Sequence, residues 1–166
     1  ALKKDYSILS VGCGNLRNWI HTAVSLPAAF QGKLHTTLND YDPFVQARNV
    51  LFLFMMITFA DKDGIAGIVT TIWYSLNLSQ EHYEFLIFCF HSVVEISRED
   101  LMQEMRGIVN ISDADLYLIR QVWQKWLQLE CCRKRSRYIH LRKQRAQMLV
   151  NDGRGQRKSS VEAIDQ

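Results

Sequence analysis

The chain has 166 residues, 48% of them apolar, and a formal charge of only +3. That length fits one domain of ordinary size, and the apolar share is enough to build a real core. The four cysteines, Cys13, Cys89, Cys131 and Cys132, show no framework spacing and no C-x-x-C, which excludes a disulfide-stapled scaffold and points to reduced thiols in the cytoplasm or nucleus. No signal peptide is visible at the start of the sequence.

Tyr6–Val11 is a short apolar run of strand type that stops at Gly12-Cys13-Gly14. A helix pattern begins at once. Leu16, Trp19, Ile20, Ala23 and Val24 follow the spacing of one buried helix face, with Asn15 where an N-cap belongs and Pro27 closing the region. Lys33–Leu38 reads as a second strand and ends in Asn39-Asp40-Tyr41-Asp42-Pro43. Strand, glycine turn, helix, strand, acid is the opening of a nucleotide-binding βαβ unit, in which the acid sits about twenty residues after the glycines. The glycines allow a tight turn, and free N–H groups at the helix start would face a ligand. On this basis the two strands are expected to be parallel neighbours.

The residue types narrow the cofactor. The dinucleotide fingerprint places a third glycine where this chain has Arg17, whose bulk opposes the close helix–strand approach, so NAD and FAD are disfavoured. S-adenosylmethionine has no pyrophosphate and asks less of the turn. G-C-G followed by N-D-Y-D-P resembles the first two motifs of class I methyltransferases, and this implies cofactor contacts at Gly12, Cys13, Gly14, Asn15, Asp40 and Asp42. Two departures count against activity: Ser10 stands where those enzymes carry an acid, and Leu16 where they often keep a third glycine. Arg17, a cation in a first helical turn, calls for a compensating acid, with Asp40 and Asp42 as its expected partners.

Asp42-Pro43 is a helix start, and the helix is expected to run over Phe44–Phe59. Val50–Ile57 is apolar all round but shorter than the about 20 residues of a membrane span, so it reads as a buried helix. Arg48-Asn49 beside it reads as an internal polar contact set, because an arginine there needs an acceptor. After the turn at Ala60–Gly64 the strand signal fades. Helices are expected over Ile65–Leu76, from Ser79 to Val94, from Ser97, and from Ser112, the last with an apolar stripe of Leu116, Ile119, Trp123, Trp126 and Leu127. No third strand can be discerned. A complete doubly wound sheet needs more, so the chain reads as a fragment of a longer domain.

Arg133–Lys158 holds ten of the twenty basic residues and one acid. Arg133, Lys134, Arg135 and Arg137 form a patch of the kind that binds nucleic acid, but Tyr138 is the only stacking ring among these charges, which favours a solvated helix end. Residues 151–166, rich in Gly, Ser and Gln, read as a flexible tail. The five histidines form no H-E-x-x-H, no G-x-S-x-G occurs, Cys131-Cys132 with His140 is not a zinc spacing, and no general base stands out.

Three blocks, G-C-G-N-L-R-N, L-N-D-Y-D-P-F-V-Q-A-R-N-V-L and I-W-Y-S-L-N-L-S, resemble in the same order those of an uncharacterised domain, domain-of-unknown-function family 4470. That domain occurs beside MYND-type zinc fingers and is related to the N-terminal part of the dynein axonemal assembly factor 3 family. The resemblance runs from about Tyr6 to about Leu129 and implies a methyltransferase-like fold without an established activity. The zinc finger is absent from this sequence. The expectation is therefore an α/β, Rossmann-like (class I methyltransferase-like) βαβ start with a large helical second half: residues 1–150 as one domain, with 6–60 as βαβα and 65–150 helical. Its expected role is a cytoplasmic protein-interaction or assembly domain with a protein partner and no membrane. An S-adenosylmethionine-dependent methyltransferase is the alternative, and nucleic-acid binding the third reading.

Overall fold

The computed structural model of the chain describes residues 3–75 and 77–131. In order the elements are β1 (Tyr6–Val11), α1 (Arg17–Val24), β2 (Leu34–Asn39), α2 (Pro43–Thr58), α3 (Ile65–Tyr74), α4 (Gln80–Glu95), α5 (Arg98–Glu104) and α6 (Asp113–Cys131). The fold is mixed α/β and mostly helical, with a two-stranded parallel sheet and six helices among the described residues. The chain divides into two compact units, Ala1–Gln124 and Lys125–Gln166, and of the second only the end of α6 is described. The basic run from Arg133, the boundary expected at 150 and the tail lie outside the described residues.

β1 and β2 are parallel neighbours, as the glycine turn requires, with Tyr6 opposite Leu34 and Val11 opposite Asn39. The Tyr6 N–H donates to the Lys33 carbonyl, and the Cys13 N–H to that of Asn39. Ladder bonds in a parallel pair recur at every second residue. The odd-numbered residues of β2 therefore turn their backbone groups to β1, and Leu34, Thr36 and Leu38 turn theirs to the free edge.

α1 departs from expectation at both ends. It spans eight residues rather than starting at Asn15, and Leu16 takes the N-cap position without a side-chain cap. The reason lies in two residues. Asn15 Oδ1 accepts the Arg17 N–H only two positions on, closing a local turn ahead of the helix. Leu16, the next residue, is fully buried. Of the expected buried face, Trp19, Ile20 and Ala23 are half-buried, while Val24 is 75% exposed.

α2 is the centre of the molecule. Asp42 caps it by accepting the Phe44 N–H, and Pro43 supplies a first-turn residue with no N–H to satisfy. Val50–Met55 is buried without a break, because α2 touches α3, α4 and α5. Phe52 stacks on Trp73 of α3, and Phe59 meets Phe85 of α4 edge to face. From α6 the indole N–H of Trp123, itself fully buried, donates to the Ala47 carbonyl at 2.9 Å. Serine caps open the later helices where their sequences place them: Ser79 for α4, Ser97 for α5 and Ser112 for α6. The loop between α5 and α6 is held from below by Arg98, which donates to the Ile111 carbonyl and to Asn110 Oδ1.

Candidate functional site

The Gly12-Cys13-Gly14 turn carries β1 into α1. Gly12 and Gly14 both have left-handed backbones, with φ of +61° and +58°. A Cβ at either would meet nothing within 4 Å, so it is the backbone conformation, not crowding, that calls for glycine there.

Around this turn most polar groups bond one another, while the buried Arg48 Nε has no partner among the described residues. The Gly14 N–H donates to Asp40 Oδ2 at 3.0 Å, and the Asp42 N–H to Asp40 Oδ1 at 3.1 Å. From α2, Arg48 Nη2 donates to the Gly14 carbonyl at 2.7 Å, and Asn49 Nδ2 donates to the same oxygen at 3.0 Å. Asn49 also reaches Cys13 Sγ at 3.6 Å. The acceptor that Arg48-Asn49 requires is thus the glycine turn itself. Asn49 is only 1% exposed, and buried polar groups are seldom left without such partners.

These contacts set the electrostatics. The N–H groups of Asp42 and Gly14 hold the Asp40 carboxyl below its usual range, with the Arg48 charge assisting. Burial, and then the negative Asp40, push the Cys13 thiol up. Cys89, buried in α4, is pushed up to about 12 by desolvation.

The ion pair expected between Arg17 and Asp40 or Asp42 does not form: no salt bridge among the described residues includes Arg17, which is exposed. Backbone amides take its place. They are positioned by the turn itself, whereas an exposed arginine would have to give up side-chain freedom for a solvent-screened pair.

Gly14, Asp40 and Asp42 are therefore brought together, and Cys13 joins them through Asn49. Asn15 turns instead to the Arg17 amide, and Gly12 contributes its backbone shape. A cleft of about 660 Å³ runs along β2, walled by α2, the α5–α6 loop and α6, and Asp40 alone of the six residues lines it. Sequence reasoning missed this cleft. Within it, Gln46 donates to the Leu38 carbonyl at 3.1 Å, and the buried Thr36 Oγ1 has no hydrogen-bond partner among the described residues. The β-branched Thr36-Thr37 pair located the strand, but nothing local in the sequence announces that residues near 110 and 118 fold back against it. Among the described residues, no three His, Cys, Asp or Glu side chains lie together as a metal site, and no helix is long and apolar enough to cross a membrane.

Residues 2–78 match the family model of a domain of unknown function, DUF4470. The match takes in β1 through α3 and ends before α4, short of the Leu129 limit drawn from the sequence blocks. No curated protein and no solved structure matches the chain.

Proposed function

We propose that this chain is a protein-interaction or assembly domain built on a degenerate, Rossmann-like methyltransferase scaffold. One observation carries the reading. The Gly14 amide, which in a working cofactor loop would face the ligand, donates to Asp40, the acid that would receive the ribose hydroxyls. The Asp40 oxygens are further engaged by the Asp42 amide, and the turn carbonyl is held by Arg48 and Asn49. The motif fastens the corner of the fold. This fits a cytoplasmic module of larger assemblies, in keeping with the resemblance to MYND-associated domains and to the dynein axonemal assembly factors.

The methyltransferase reading retains one observation in its favour, the open space beside Gly12 and Gly14. Calorimetry with S-adenosylmethionine separates the two. A micromolar ligand gains about 8 kcal/mol on binding. On the assembly reading the full chain gives no saturable heat at micromolar concentration. A low-micromolar dissociation constant that Asp40→Ala abolishes would replace it with the methyltransferase.

A further inference from the structure

We infer that the cleft along β2 receives an extended, lysine- or arginine-bearing peptide that adds to the free edge of β2 as a third strand. The inference rests on the assembly reading and names the chemistry of the partner.

The backbone comes first. Parallel strands are normally found inside larger, covered sheets, and an edge strand offers unpaired N–H and C=O groups to any chain that can reach them. With Tyr6 bonded to Lys33 and Asn39 to Cys13, the groups of Leu34, Thr36 and Leu38 point away from β1. Gln46 covers one of them, the Leu38 carbonyl. The other free-edge groups open on a cleft whose lining includes every residue from Leu34 to Tyr41. Its volume lies within the about 300–1,000 Å³ usual for ligand sites. The buried Thr36 Oγ1, without a partner among the described residues, lies in the same wall.

Side chains then specify the occupant. The rim carries apolar groups left in water: Tyr41 is 97% exposed, Ile108 64% and Leu118 50%. A strand laid against β2 would place alternate residues on that rim, which is how strand addition acquires specificity. Among the described residues the charged side chains of the lining are both carboxylates, Asp40 and Asp115, and neither Lys nor Arg lines the cleft. Asp40 keeps its negative charge while its oxygens accept the two amides, and Asp115 is exposed. A cationic residue on the added strand complements both, whereas an acidic one is repelled.

The test uses the full chain and four labelled eight-residue peptides, read by fluorescence anisotropy: alternating Val-Lys, alternating Val-Glu, and two N-methylated forms of the Val-Lys peptide, one at its odd and one at its even amides. Strand addition predicts saturable binding of Val-Lys, at least tenfold weaker binding of Val-Glu, and loss on methylating one set of amides but not the other. Leu118→Lys, at an exposed position, should weaken Val-Lys binding at least tenfold while leaving the melting temperature unchanged. Absence of Val-Lys binding, equal binding of Val-Glu, or indifference to both methylation patterns overturns the inference. Any of these with S-adenosylmethionine still unbound overturns strand addition and leaves the assembly reading standing; binding of that cofactor overturns the assembly reading itself.

Discussion

The parallel corner and the helical body are held together by different forces. In β1 and α1 no residue is buried, although β1 is apolar at Tyr6, Ile8, Leu9 and Val11. In α2 half of the sixteen residues are buried, and they pack on three other helices. The corner is fastened by directed polar contacts at Gly14 and includes the buried Leu16. The body is fastened by non-directional packing. Polar contacts fix geometry but add little net stability, whereas apolar burial dominates it. The corner should therefore open before the body does, in the manner of a low-stability cooperative unit.

The strongest way to break this comparison is to remove packing from the body. Trp123 is fully buried and also bonds the Ala47 carbonyl, so it joins α6 to α2. Trp123→Ala should cost about 3–5 kcal/mol, measured by urea unfolding, with corner and body lost together. If only the corner melts, the body is not the stabilising half.

The next effect is smaller and local. Asn49→Ala removes a buried donor from the Gly14 carbonyl and from Cys13 and should cost about 1–3 kcal/mol. Amide hydrogen exchange should accelerate in β1 and β2 well before α4. Uniform acceleration across all elements would mean that corner and body form one cooperative unit.

How much of this was legible beforehand depends on range. Asp42-Pro43, Ser79, Ser97 and Ser112 act on amides two or three residues away, and these four helix starts were readable from such local chemistry. The parallel pairing followed from the glycine turn, and the burial of Val50–Met55 from a run apolar on every side. The partner of Asp40 was not legible. Sequence offers Arg17 as the nearby charge, but the bond goes to the Gly14 amide, which the left-handed backbone of that glycine places. The cleft was hidden for the same reason: its far wall comes from residues near 110 and 118, and no local pattern encodes that docking.

Acid sharpens the comparison further. The Asp40 carboxyl titrates below its ordinary 3.8 in the folded chain because it accepts the Asp42 and Gly14 amides. A lowered folded pKa means the contribution is fully present above the ordinary value and is lost as the pH falls through the folded one. Exchange in β1 and β2 should therefore quicken at pH values below 3.8, ahead of α2 and α4. Asp40→Asn should remove that part of the pH dependence. An unchanged acid profile in Asp40→Asn would assign it to other carboxylates.

The smallest expected effect is the most direct measure of the difference, because it sets two leucines side by side. Leu101 in α5 is fully buried, and Leu9 in β1 is 64% exposed. Truncating Leu101 to alanine removes apolar surface from the core and leaves a cavity, at about 2–5 kcal/mol. Leu9→Thr keeps a side chain suited to a strand and removes a group that is mostly in water already, so it should change stability by less than about 0.5 kcal/mol. If Leu9→Thr costs more than about 1.5 kcal/mol by urea unfolding of the full chain, the side chain of Leu9 is covered in solution. Dilution of the protein then identifies the cover. A cost that falls on dilution assigns it to a second copy of the chain, because association weakens by mass action. A cost independent of concentration places the cover within the same molecule.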